Sequence, residues 1–459
     1  MSGQPRRRAT FFTSLFRPPI HKDTRMAHHH NNSAYGRLVE RLNRFPQGAP
    51  PSKLLFGILK ILFSEEEAGL VAELPIKPFT VNTAARAWQR SPAEARKILD
   101  ELAGRAVLLD LEQKNGEQVY CLPPPMAGFF EFALMRVRTD IDQKALSELF
   151  HQYINVEEDF MRDLFVQGET GLGRVFVQEP ALDDPYRLEI LDYERATHVI
   201  DSARDIGISM CYCRHKKSHL GTNCDAPMDI CMTFNTAAHS LIKYGHARRV
   251  DKAECHELLQ EAYRHGLVQF GENNREGVNF ICNCCGCCCE ALLAVQRFGI
   301  TQTIHSNFII ELNTETCIGC GKCLAACPVK ALHKDETTPA PGDDGAVEGE
   351  RRRSGRPPAL NADICLGCGV CVSRCPTHSL KLTPRPDRTI TPLNTTHRVV
   401  LMAAERGNLQ DLIFDNQVLY SHRLMAGVLG AVLKLPPVAR NLARKQLRSR
   451  YVEKIMSRM

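Results

Sequence analysis

The chain has 459 residues, 44 % of them hydrophobic and 24 % charged, with a formal net charge of +6. That length is too great for one ordinary core, so several domains of about 100–200 residues are expected, and the balanced composition excludes a fibrous or wholly disordered chain. So small a positive surplus does not call for nucleic acid, which requires basic charge gathered on one face.

Residues 1–50 are polar and aperiodic apart from a short helical pattern at 35–43, and read as a flexible tail. Arg6, Arg7 and Arg8 open a basic run, but Arg17, Pro18 and Pro19 interrupt the apolar stretch that an export signal would need. Met26 is an alternative start to Met1, and the His28–His30 triplet is too short to assign. From Ser52 the pattern becomes helical, with Leu54, Leu55, Ile58, Leu59 and Leu62 on one face and a second helix at 81–89. Ser91-Pro92-Ala93-Glu94 is a capping box with proline at the first helical position, which predicts a helix over 92–103 ended by Gly104. Strand-like runs at 107–111 and 118–122 flank Lys114-Asn115-Gly116-Glu117, a hairpin turn signal. Residues 51–125 therefore resemble a winged helix. Its reading helix mixes Arg96 and Lys97 with Glu94, Asp100 and Glu101, which suits a docking or structural module better than the DNA major groove.

Residues 126–205 read as a helical linker ending in a charged helix at 193–205, and 206–307 as a cysteine-rich domain. A further cysteine-bearing module at 308–382 follows, interrupted by a mobile, solvated insertion at 335–358. Residues 383–459 form a helical extension whose end gathers Arg440, Arg444, Lys445, Arg448, Arg450, Lys454 and Arg458, a solvated face or a dock for an acidic partner. The expected class is α+β and multidomain. The most apolar window, 424–435, spans only about a dozen residues, so no membrane span is expected.

The cysteines carry the chemistry. Nineteen of the twenty lie between Cys211 and Cys375, spaced for metal ligation rather than loop cross-linking, which points to the reducing cytoplasm. Cys121 stands apart, as a small core hydrophobe. Cys317, Cys320, Cys323 and Cys327-Pro328 recur 48 residues later as Cys365, Cys368, Cys371 and Cys375-Pro376, and Asn313, Gly319, Gly321 and Leu332 recur at the same offset. Three thiolates two residues apart reach three corners of one iron cubane, whereas zinc is usually met by two short pairs.

On those eight cysteines, segment 308–382 resembles bacterial dicluster ferredoxins, differing in its lengthened central link. The resemblance implies a βαββαβ-type module, two [4Fe–4S] clusters and low-potential electron transfer. It also implies crossed ligation: Cys317, Cys320, Cys323 and Cys375 on one cluster, and Cys365, Cys368, Cys371 and Cys327 on the other. Upstream lie Cys211-Tyr212-Cys213-Arg214, then Cys224, Pro227 and Cys231-Met232, then a dense run at 282–289. The whole field is similar to that of multi-cluster ferredoxin-like iron–sulfur proteins of anaerobic prokaryotes. Cys211, Cys213, Cys224 and Cys231 form the candidate third ligand set, beside Arg214, His215, Lys216 and Lys217, and Cys282 and Cys284 are further candidate ligands. His215, His219, His239 and His246 read as surface or helix residues rather than ligands. No glycine-rich phosphate loop implies NAD, flavin or ATP. The favoured function is an electron carrier between redox partner proteins. The alternatives are an electron-input subunit of a reductase that uses the 282–289 run, and a redox-responsive DNA-binding regulator.

Overall fold

A computed structural model describes residues 33–113, 115–166, 168–183, 190–299, 304–334, 355–389, 391–415 and 420–433, and shows mixed helix and sheet. The basic start, the histidine triplet, Met26 and the basic residues 440–458 lie outside the described residues.

Helices Ala34–Arg44, Lys53–Leu62, Glu65–Ala72, Val81–Trp88 and Pro92–Gly104 open the described chain, each begun by a hydroxyl N-cap. At Ser91 the hydroxyl accepts from Glu94 N–H at 3.3 Å while the Glu94 carboxylate accepts from Ser91 N–H at 3.0 Å, the reciprocal box that the sequence predicts. Helix Glu65–Ala72 was not anticipated, although Ser64 and Glu67 form a second such box. Strands β1 (Leu109–Glu112) and β2 (Gln118–Cys121) pair antiparallel, and Phe79 bridges Tyr120 as a one-residue third strand. The order is thus helix, bridge, helix, helix, hairpin.

Residues 126–205 are less helical than predicted. Helices Gln143–Phe150 and Asp159–Val166 pack around Phe129, Phe130, Phe150, Tyr153 and Phe160, with the Phe129–Phe130 rings 4.9 Å apart. But β3 (Gly173–Val175) joins a six-stranded antiparallel sheet with β4 (Ile206–Met210), β5 (Asp229–Phe234), β6 (Arg248–Arg249), β7 (Val268–Glu272) and β8 (Phe280–Cys284), in the order β3-β7-β8-β5-β4-β6. Glycine permits this close pairing, because a Cβ on Gly173 would lie 2.6 Å from the Phe270 ring. The helix expected at 193–205 is confined to Ala196–Ser202, and the Glu179 carboxylate caps its start by accepting from Thr197 N–H at 3.1 Å. Helices Tyr212–His219, Asn235–Lys243, Lys252–Arg264 and Glu290–Phe298 alternate with the strands of the sheet.

The last part runs β9 (Phe308–Leu312), helix Lys322–Ala326, β10 (Leu332–Lys334), β11 (Pro358–Leu360), helix Val370–Ser373 and β12 (Leu380–Pro384). β9 pairs with β12 and β10 with β11, both antiparallel. The expected insertion at 335–358 lies outside the described residues as far as 354. Its end is ordered: Pro358 opposes Lys334, and Gly355 packs on Gly319. Helices Thr395–Arg406, Leu409–Ile413 and Tyr420–Leu433 close the described chain. One apolar core extends from Ala34 to Leu382, so the segments expected as separate domains share buried side chains.

Candidate metal centres

In the duplicated segment each copy enters its loop through an asparagine. Asn313 Oδ1 accepts from Glu315 N–H at 2.9 Å and Asn361 Oδ1 from Asp363 N–H at 3.1 Å, which accounts for the repeated asparagine. The glycines that follow are left-handed: φ is +67° at Gly319, +71° at Gly321, +63° at Gly367 and +88° at Gly369. Space adds to that demand. A Cβ would fall 1.9 Å from Gly355 O at Gly319, and 1.9 Å from Phe308 O at Gly367.

These loops surround two cavities of about 20 Å³ each. One is lined by Cys317, Cys320, Cys323 and Cys375, the other by Cys365, Cys368, Cys371 and Cys327. The chain thus turns the cysteine before each proline into the cavity of the other copy. Backbone N–H groups point at the sulfurs at equivalent places: Ala331 N–H donates to Cys327 Sγ at 3.1 Å and Ser379 N–H to Cys375 Sγ at 3.3 Å, while Gly319 N–H donates to Cys317 Sγ at 3.4 Å. Burial pushes the Cys368 thiol up to about 12 and Cys371 well above its ordinary range, so a bound cation would have to drive off their protons. No three of the eight sulfurs lie within 4.8 Å of one another. Four thiolates on one ion with bonds of about 2.3 Å would sit about 3.8 Å apart, so the wider octet fits a polynuclear iron–sulfur group better than zinc.

Upstream, the ten thiols fall into two groups. Cys211, Cys213, Cys231, Cys282, Cys284 and Cys289, with Cys285 at the edge toward the second group, line a cavity of about 50 Å³, and the Cys231 and Cys282 sulfurs are 3.8 Å apart. Strand alternation directs Cys282 and Cys284 to one face of β8 and Asn283 to the other. Cys211 and Cys289 are the N-caps of helices Tyr212–His219 and Glu290–Phe298. Bonds from Cys213 and Cys284, together with the N–H groups of Leu292 and Ala291, hold Cys289 well below the usual thiol range against the effect of burial. Cys224, by contrast, lies with Cys285, Cys287 and Cys288, all four sulfurs within 4.8 Å of one another. The four cysteines anticipated as a third set are therefore divided: Cys211, Cys213 and Cys231 are in the first group and Cys224 is in the second. Cys285, Cys287, Cys288 and Cys289 were read only as part of the 282–289 run and not named as ligands. Nothing in the local spacing signals which of them meets Cys224, 61 residues before Cys285.

Of the nearby basic residues, only Arg214 faces sulfur. It is fully buried and donates to Pro227 O at 2.8 Å and Asn283 O at 2.7 Å. Burial alone would weaken its basicity, but Cys211, Cys285, Cys284 and Cys224 outweigh it and raise the pKa. Lys216 pairs instead with Glu290, and the His215 ring contacts Leu134 O. Among the described residues no histidine joins a ligand group.

Two features connect the upstream field to its surroundings. Gly286 abuts the residue after Cys327, since a Cβ there would fall 2.1 Å from Pro328 O. Gln296 Nε2 donates to both Gly286 O and Pro328 O at 2.7 Å. A cavity of about 350 Å³ is bordered by Cys231, Cys282 and Glu131. Burial, then the nearby Cys282, raises the Glu131 pKa well above the carboxylate range.

Residues 316–379 match the 4Fe-4S dicluster domain family. Neither a curated protein nor a solved structure matches the chain.

Proposed function

We propose that the protein transfers electrons through two [4Fe–4S] clusters, one held by Cys317, Cys320, Cys323 and Cys375 and the other by Cys365, Cys368, Cys371 and Cys327. The sorting of these eight thiols into two crossed fours around separate cavities carries this reading. When bound, such clusters supply reversible one-electron transfer. The chain's own residues set the conditions for it. The N–H groups of Gly319, Ala331 and Ser379 favour added negative charge beside the sulfurs.

The two sites differ in access. Cys320 is exposed, so the first faces solvent and a redox partner protein, whereas Cys365, Cys368 and Cys371 are all buried. The inner site connects through Cys327, Pro328 and Gly286 to the upstream thiols, which makes it the internal end of a relay. Thiolate ligands of this kind need reducing surroundings, and we place the protein in the cytoplasm. No described helix is long and apolar enough to cross a membrane.

The cavity beside Cys231, Cys282 and Glu131 supports a second reading, in which the relay feeds a reduction at that site. The regulator reading has less support, because the exposed face of helix Pro92–Gly104 mixes Arg96 and Lys97 with Asp100 and Glu101. Redox titration of the anaerobically purified chain by EPR tests the proposal. It predicts reversible low-potential signals and no turnover by the protein alone. A silent, irreducible protein would refute electron transfer, and reduction of a disulfide acceptor that is lost in Glu131→Gln would select the reductase reading.

A further inference from the structure

We infer that Cys224, Cys285, Cys287 and Cys288 bind a single zinc ion in a tetrahedral site separate from the two cluster sites. This does not depend on electron transfer, because it rests on a different set of sulfurs. The separations are 3.6 Å for Cys224–Cys285, 3.8 Å for Cys224–Cys288 and 3.7 Å for Cys287–Cys288. A tetrahedron with metal–sulfur bonds of about 2.3 Å has edges of about 3.8 Å. A cubane would place each thiolate on a different iron and spread them further, as in the duplicated segment, where no three sulfurs come within 4.8 Å of one another. The quartet is the one group among the described residues that meets this limit.

The chain is laid out for such a site. Cys285, Cys287 and Cys288 come from the tight loop between β8 and helix Glu290–Phe298, and Cys224 comes from the loop before β5. Four sulfurs and no oxygen or nitrogen donor suit zinc among the divalent ions and leave no open coordination position. Cys287 is exposed, which gives the ion a way in. Zinc with four thiolates carries two negative charges. The buried Arg214 guanidinium, held by the Pro227 and Asn283 carbonyls, offsets part of that charge.

The position suggests the role. The same loop holds Gly286 against Pro328, and Gln296 bonds both carbonyls. An ion that fixes this loop therefore staples the cysteine-rich sheet to the duplicated segment at the residue next to Cys327. It is structural, not redox-active, and it holds constant the gap between the upstream thiols and the inner cluster site.

Metal analysis and zinc-edge X-ray absorption on the full chain, purified without oxygen, test this. The expected result is about one zinc per chain, bound by four sulfurs at about 2.3 Å. A Cys287→Ser/Cys288→Ser variant should lose the zinc while iron and sulfide stay unchanged. Cobalt supplied in place of zinc should give thiolate-to-cobalt absorption in the wild type that is absent from the variant. Should the variant not fold, the wild-type absorption spectrum still decides. Nitrogen or oxygen in the zinc shell, or no zinc and no cobalt band, would overturn the site. Loss of iron and sulfide together in the variant would assign the four thiols to an iron–sulfur cluster. One iron in excess of sulfide would put iron where zinc is claimed. Low total iron with an intact four-sulfur zinc shell would fail the electron-transfer reading and leave this one standing.

Discussion

At the scale of single residues, the loops of the duplicated segment meet requirements that are local to each copy. Asn313 and Asn361 each close a turn, and the glycines that follow adopt positive φ, so the same residues recur at the same offset. Gly367 shows the constraint most sharply: φ is +63°, and a Cβ would meet Phe308 O at 1.9 Å and the Ser306 hydroxyl at 2.5 Å. Gly367→Ala should therefore displace the loop carrying Cys365 and Cys368. The expected outcome is loss of about half of the cluster iron, with the first site retained, measured by iron and sulfide content against wild type. Full iron content in the variant would contradict the close approach. The upstream thiols were not legible in this way. Cys224 and Cys231 are seven residues apart in one loop and strand, yet the β5–β8 register brings Cys231 to Cys282 while Cys224 reaches Cys285. Strand pairing settles that partition, and spacing along the chain does not encode it.

At the scale of elements, what could be read was what side chains signal to their near neighbours. The Ser91–Glu94 box and the Asn115-Gly116 turn produced the helix and hairpin that they predict, and Asn115 Oδ1 accepts from Glu117 N–H at 3.0 Å. Strand β3 could not be read: it is three residues long, wholly buried, and defined only by its pairing with β7. Helix Pro92–Gly104 meets the cysteine-rich part at its end, where His246 Nε2 contacts Gly104 O at 3.0 Å. Burial lowers the His246 pKa from 6.5 to about 4. A depressed histidine is neutral when folded and takes up a proton on unfolding, so its contribution is intact above about pH 6.5 and falls as the pH drops toward 4. By linkage the loss is at most about 3 kcal/mol. His246→Gln, which keeps a donor to Gly104, should flatten that part of the acid limb. Urea midpoints from pH 7 to 5 would show it, and parallel curves for the two proteins would exclude the effect.

At the scale of the whole molecule, side chains from Ala34 to Leu382 share one buried apolar cluster. Asp110 of β1 accepts from Ser240 Oγ at 2.6 Å and from Lys243, joining the hairpin to helix Asn235–Lys243. Buried Arg398 and Glu272 pair at 2.6 Å, which ties helix Thr395–Arg406 to the sheet. Such joints leave no local trace, because each partner is ordinary in its own segment. On the relay proposed above they matter because electron transfer demands fixed separations, and the Gly286–Pro328 contact joins the loop of the upstream thiols to the residue after Cys327. The account rests first on the crossed fours. Iron and acid-labile sulfide counted per chain, on full-length protein purified without oxygen, test it most directly. At least about eight of each are predicted; a colourless protein with clearly fewer, or with zinc in place of iron and no sulfide, would contradict it.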